Sequence, residues 1–194
     1  MNTKSSTKLG VVIASVREGR VGAPIADWVV ERAREHGGFE IDLVDLKEVD
    51  LPFLQEPGHP RLRQYTDERT IAWSARIDAI DAFVFVTPEY NWSTPPALAN
   101  ALDHLHQEWK YKPAAFVSYG GVSGGLRGAQ ATRLRLAAFN MMTIAEGVVI
   151  PFVAHHVKDG RFVPSELQVK AATVMLRELR RWSDALRTLR ATPA

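Results

Sequence analysis

The feature that most narrows the fold is a regular alternation of short apolar runs with longer helix-periodic segments. Lys8 to Ser15 is a compact apolar run, and Ile25 to Glu35 follows with helical spacing after an entry through Gly22 and Pro24. Phe39 to Leu46 (F-E-I-D-L-V-D-L) alternates, which predicts a strand with acids on one side, close to a sheet edge. Asp81 to Thr87 (D-A-F-V-F-V-T) is β-branched and aromatic and carries no charge after its first residue, as expected of a central parallel strand that Pro88 stops. Pro113 to Tyr119 and Thr143 to Ile150 are the fourth and fifth such runs, the last closed by Pro151. Helices are predicted at about 66–78, 97–109 and 127–140. A long final helix is expected to start at a Ser165–Gln168 capping box and to carry the stripe Met175, Leu179, Trp182, Leu186 and Leu189. Residues 47 to 65, with Pro52, Pro57, Gly58 and Pro60, read as a long loop.

Parallel strands need crossover connections, so five strands alternating with helices imply an α/β, doubly wound parallel sheet covered on both faces. The expected strand order is 2-1-3-4-5. The 194 residues show no internal repeat and no linker-like stretch, so a single domain over 1–194 is expected. The absence of cysteine excludes disulfides, thiolate metal sites and a cysteine nucleophile, and fits a cytoplasmic protein. No apolar run approaches the roughly 18 to 20 residues that span a bilayer, so no membrane association is expected. The net charge is only +2, and the five arginines between 177 and 190 are interleaved with Glu178 and Asp184, which reads as a solvated helix face rather than a nucleic-acid surface. His104 and His106 are two apart, roughly 200° around a helix, and no metal site is expected.

In open α/β sheets, ligands bind beyond the carboxyl ends of the strands where strand order reverses. Three loops leave such ends. Ala14 to Pro24 (A-S-V-R-E-G-R-V-G-A-P) offers a hydroxyl, two guanidinium groups and a helix start, the parts that hold a phosphate. It matches neither the P-loop nor the dinucleotide fingerprint. Pro88 to Pro96 (P-E-Y-N-W-S-T-P-P) combines adjacent aromatics with turn formers and suits a rim for a planar heterocycle; the alternative is a turn whose aromatics cap the core. Ser118 to Gly125 (S-Y-G-G-V-S-G-G) holds four glycines that permit close backbone approach, or serve a flexible turn. Together, after strands one, three and four, these loops describe a mononucleotide site of flavin size.

The segments S-V-R-E-G-R-V-G at 15 to 22, P-E-Y-N-W-S-T-P-P-A-L-A-N-A-L-D at 88 to 103 and S-Y-G-G-V-S-G-G at 118 to 125 resemble the motifs of the NADPH-dependent FMN reductase family. These are flavodoxin-like enzymes that include flavin, quinone, azo-dye and chromate reductases, and the likeness in layout covers roughly residues 8 to 155. The resemblance implies FMN as cofactor and NAD(P)H as co-substrate, with hydride passed through the flavin to a small-molecule electron acceptor in a ping-pong cycle. It implies that Ser15 and Arg17, with the backbone of Arg20, Val21 and Gly22, hold the FMN phosphate. The isoalloxazine is expected against Pro88, Glu89, Tyr90 and Asn91, whose backbone amides face its polar edge, with Ser93 nearby. Ser118, Gly120, Gly121 and Ser123 are expected to form the other wall. No side-chain general base is required, because the cofactor carries the chemistry.

The chain departs from the family pattern at Ala14, where Gly is usual, at Gly22 or its neighbour, where a hydroxyl residue is common, at Trp92 for Tyr, and at Pro96 and Ala99 for Gly and Lys. The stripe Leu98, Leu102, Leu105 and Trp109 and the apolar surface of Leu134 to Met142 are expected to form a homodimer or homotetramer, as the resemblance implies helices that form dimers completing the flavin site; the alternative is plain core packing. Two rival readings remain at this level. One is a flavodoxin-like electron carrier without turnover, for which the chain lacks an acidic docking face; the other is a flavin-free regulatory domain on the same fold.

Overall fold

The structure, a computed structural model, describes residues 6–191. Strands β1 (Thr7–Ile13), β2 (Phe39–Asp45), β3 (Ala82–Pro88), β4 (Pro113–Tyr119) and β5 (Met142–Ile150) form one parallel sheet in the order β2-β1-β3-β4-β5. Ile13 lies beside Asp45 on one side and Val86 on the other, and Pro88 lies beside Tyr119. The chain leaves β1 toward β2 and returns on its opposite side as β3. The reversal of strand order, and the crevice it opens, therefore falls between β1 and β3.

Helices α1 (Gly22–His36), α2 (Leu46–Val49), α3 (Glu68–Asp78), α4 (Pro96–Asp103), α5 (Leu126–Ala137) and α6 (Glu166–Ala191) connect and cover the strands. α1 and α6 pack on one face over Leu9, Val11, Val84 and Val117; α3, α4 and α5 pack on the other over Val12, Phe83, Phe85 and Phe116. Alternate residues of a central strand thus enter two different cores, which is why β3 and β4 are buried at every position and read as unbroken apolar runs. Edge strand β2 is only partly covered, and two of its acids find partners on the neighbouring elements: Asp42 pairs with Arg76 at 2.6 Å and Asp45 pairs with Arg20.

Local chemistry sets the helix ends. Asp67 accepts from the Arg69 amide at 2.8 Å, and in the Ser165–Gln168 box the two bonds measure 2.7 and 3.3 Å. The last carbonyls of α3, on Ile77 and Asp78, accept from the buried Lys112 ammonium at 2.7 and 2.9 Å, and burial pushes that ammonium down to about 8.

Two expectations are corrected here. The helix predicted over 97–109 stops at Asp103, and Trp109 follows in a separate 3-10 turn, Gln107–Trp109. Leu98, Leu102, Leu105 and Trp109 are each no more than 1% exposed, with the Trp109 ring 5.2 Å from Phe83 and 6.2 Å from Trp73. This stripe is core and offers nothing to a second copy, because breaking the helix lets the chain fold Trp109 back onto the sheet. Between β5 and α6 an unanticipated hairpin pairs β6 (Val157–Lys158) with β7 (Arg161–Phe162) around Asp159 and Gly160, both at positive φ, and seats Phe162 edge-on to Trp28 at 5.0 Å.

Candidate functional site

The loops after β1, β3 and β4 converge at the carboxyl edge of the sheet, above the reversal between β1 and β3. α1 starts there with Val21 at its cap position, and no side chain caps it. The amides of its first turn therefore have no side-chain cap among the described residues, and the positive end of the helix dipole faces the crevice. Pro24, in the first turn, has no N–H to satisfy. Beside this helix end sit the buried Ser15 and the exposed Arg17, which makes no ion pair among the described residues. The Ser15 Oγ and the Tyr90 hydroxyl lie 2.8 Å apart, and the Arg17 guanidinium stands 6.0 Å from the Tyr90 ring, so one aromatic side chain ties the first loop to the second.

Tyr119, at the end of β4, was not singled out from the sequence, yet it completes this cradle. Its side chain is 4% exposed, and its hydroxyl, near Ser15, makes no hydrogen bond among the described residues. Burial, and then the nearby Tyr90, push this phenol well above its usual range, so it stands as a neutral O–H donor. A Cβ on Gly22 would stand 2.6 Å from that oxygen. The missing side chain at Gly22 thus leaves room for the Tyr119 hydroxyl. A phosphate fits this donor set: uncapped helix amides, the Ser15 and Tyr119 hydroxyls and the Arg17 guanidinium.

Arg20 plays another part. Its guanidinium donates to both Asp45 carboxylate oxygens and, at 2.8 Å, to the Ser15 carbonyl, so it braces the loop against β2. The bond to Asp45 holds its pKa above the ordinary arginine value. Of the two guanidinium groups in this loop, only that of Arg17 is left to meet a ligand.

The second loop is rigid. The Tyr90 amide donates to the Ser93 carbonyl at 3.2 Å and the Ser93 amide donates back at 3.0 Å, closing a two-residue turn in which Asn91 (φ 50°) and Trp92 (φ 67°) are both left-handed. Pro88 carries no N–H and the Tyr90 amide is engaged in the turn, so the amides of Glu89 and Asn91 are the ones left for a ligand edge. Asn91 and Ser93 are exposed at the tip. The Glu89 carboxylate turns to α5, accepting from the amides of Arg127 and Gly128 at 3.1 and 3.4 Å. At Gly128 a Cβ would come within 2.7 Å of the Glu89 Cβ, a close approach between residues that no local pattern pairs.

In the third loop, Gly124 and Gly125 serve the chain itself: with left-handed backbones they lie against β5 and against the Tyr119 backbone. Gly120 and Gly121 accept from the amides of Val153 and Phe152 at 3.0 and 2.8 Å, and Gly121 borders open space. The Ser123 hydroxyl accepts from Gly125 at 3.3 Å, and Ser118 is buried within β4 below the crevice. A cleft of about 590 Å³ adjoins the crevice through Val16 and Pro96 and is lined further by Leu51, Phe53, Ala97 and Asn100.

His104 lies away from these loops. It bonds Thr70 at 3.1 Å and the Pro52 carbonyl at 2.9 Å, and among the described residues no three metal-ligating side chains gather at one place.

The fold is that of a flavodoxin-like α/β protein, with the three loops gathered at its topological switch point. The sequence profile of the NADPH-dependent FMN reductases matches residues 7–155, and the chain belongs to that family. It is 45% identical over 124 residues to an NAD(P)H-dependent FMN reductase of Schizosaccharomyces pombe, a match covering 63% of this chain and 62% of that protein. It is 40% identical over 128 residues to an NAD(P)H-dependent FMN reductase of Saccharomyces cerevisiae, covering 60% and 67%. Among solved structures, the flavoenzyme NAD(P)H:(acceptor) oxidoreductase FerB of Paracoccus denitrificans shares the fold with a TM-score of 0.75 at 23% identity, over 92% of this chain and 98% of that one.

Proposed function

We propose that the protein is an FMN-dependent NAD(P)H oxidoreductase that passes hydride from NAD(P)H through bound FMN to a flavin, a quinone or a similar small acceptor. The observation that carries this reading is the orphaned Tyr119 hydroxyl facing the uncapped start of α1, a donor pair that the fold itself does not use. When bound, FMN supplies the two-electron chemistry. The chain's own residues bind and orient: Arg17, Ser15, Tyr119 and the α1 amides grip the phosphate, and the amides of Glu89 and Asn91 present donors to the polar edge of the ring. The rigid Tyr90–Ser93 turn and the open Gly121 backbone limit where that ring lies, and the neighbouring cleft gives a second substrate room beside it.

The family membership and the yeast relatives support the activity. The test is a visible spectrum of the protein after incubation with FMN and desalting, beside Arg17→Ala, followed by NADPH oxidation with a quinone. Retained flavin that Arg17→Ala weakens, together with steady turnover, is expected. Flavin without turnover overturns the reading in favour of an electron carrier, and no retained flavin overturns it in favour of a flavin-free domain.

The same reading places the protein in the cytoplasm, where NAD(P)H is available. It needs no nucleic acid, and each of the five arginines of the basic stretch in α6 pairs with an acid. A homodimer or homotetramer is part of the reading too. Its surface is not the buried α4 stripe: Leu134 is 80% exposed, and Phe53, Leu62 and Ile71 form a second set of exposed apolar side chains. A monomer of 21.6 kDa in sedimentation at micromolar concentration would refute the oligomer.

No helix among the described residues is long and apolar enough to cross a membrane.

A further inference from the structure

Trp92 is held where the fold gains little from it. It occupies the second central position of the Tyr90–Ser93 turn with φ 67°, a place where glycine is at ease and a bulky side chain is strained. The side chain is not buried in exchange; the residue is 71% exposed. Yet the indole is not loose. The Arg127 guanidinium lies 4.7 Å from its ring centroid, and Arg127 is itself fixed by Glu89, through its own amide at 3.1 Å and its Nε at 3.5 Å. Glu89 directly follows β3, so a short chain of contacts runs from the sheet through Glu89 and Arg127 to the indole, at the mouth of the crevice. Arg127 covers one face of the ring. Strained backbone that the surroundings over-determine marks functional positions, and here the surroundings fix the aim of an exposed, electron-rich aromatic face.

We infer that Trp92 is a specificity-determining residue for the electron acceptor: its indole is the platform on which a planar, electron-poor arene of the quinone class stacks. The inference rests on the oxidoreductase reading above. An offset stack on an indole stabilises a flat electron-poor ring and gives nothing to an acceptor without a flat face, such as the octahedral ferricyanide ion.

The experiment compares kcat/KM for a two-ring naphthoquinone with kcat/KM for ferricyanide, using FMN-loaded protein and NADPH, in wild type, Trp92→Gly and Trp92→Phe. In Trp92→Gly the quinone-to-ferricyanide ratio is expected to fall about three- to tenfold, the range that one aromatic pair is worth. Trp92→Phe restores most of the ratio. Thermal unfolding of Trp92→Gly is expected at or above the wild-type temperature, because glycine relieves the left-handed strain; a folding defect is thereby separated from lost stacking. An unchanged ratio overturns the inference, as does a parallel loss for both acceptors, which would assign Trp92 to the flavin or to NADPH. A wild-type protein without a flavin spectrum overturns the underlying reading as well, and the spectrum tells that failure apart from the others.

Discussion

Replacing Tyr119 by Phe should stabilise the free protein while weakening its hold on FMN. The hydroxyl is buried without a partner, and an unsatisfied buried polar group costs about 1–3 kcal/mol, so its removal is expected to raise the unfolding free energy of the flavin-free protein by about 1 kcal/mol. If the same hydroxyl donates to the flavin phosphate, its loss costs about 1 kcal/mol of binding, roughly a fivefold rise in Kd. Gly22→Ala extends the test. The new methyl group would stand 2.6 Å from the Tyr119 oxygen, and overpacking of a rigid site costs about 1–3 kcal/mol, offset by about 1 kcal/mol of helix propensity. In the Tyr119→Phe background that oxygen is gone, and the nearest remaining atoms, Ile13 Cγ2 and the ring carbon Cζ at position 119, are at 3.4 Å. There the alanine should become neutral or stabilising, a favourable coupling of about 1–2 kcal/mol. Urea unfolding of the four flavin-free proteins gives the cycle, and quenching of FMN fluorescence gives the affinities. A Tyr119→Phe protein that is less stable than wild type, or a Gly22→Ala cost equal in both backgrounds, would refute the orphaned-hydroxyl account of the cradle.

Two further outcomes follow from the site and the core. Arg17→Ala, at an exposed side chain, should leave urea unfolding within about 0.5 kcal/mol of wild type and raise the Kd for FMN about tenfold. Arg20→Ala leaves the Asp45 carboxylate, which is only 10% exposed, with the Lys47 amide but no cation, and should destabilise by about 3 kcal/mol; equal stability of the two variants would contradict the division of labour between the two arginines. Lys112 titrates near 8 in the folded protein and above 10 when unfolded, so between those values the unfolded chain binds more protons and stability rises with pH, by up to about 3 kcal/mol from this group. Below 8 the group adds no slope. Lys112→Met should flatten the profile between pH 8 and 10 as read by urea unfolding, and a variant with the wild-type slope would assign that slope elsewhere.

Much of the architecture was legible because it rests on local pattern. An uncharged run such as Ala82–Pro88 has to be buried on both faces, which makes a central parallel strand, and the alternating acids of β2 announce an edge. The Ser165–Gln168 box states a helix start within four residues. The Asp159–Gly160 dipeptide equally announces a hairpin. The three loops were recognisable as site material because the strand order brings them to one edge.

What the sequence left open was which polar and apolar groups the chain keeps for itself. Arg20 and Arg17 look alike in a loop; only the tertiary structure brings Asp45, 25 residues on, against Arg20 and leaves Arg17 bare. Glu89 looks like a rim residue until α5, 38 residues later, sets its amides around the carboxylate. Tyr119 reads as one more strand residue until β4 ends opposite the α1 start, and the Leu98–Trp109 stripe reads as an interface until the chain breaks and buries it. Periodicity and capping are local and therefore visible in the amino-acid order. The partner of a buried charge or hydroxyl is chosen by long-range packing, and that choice separates a group that holds the fold from one left for a ligand.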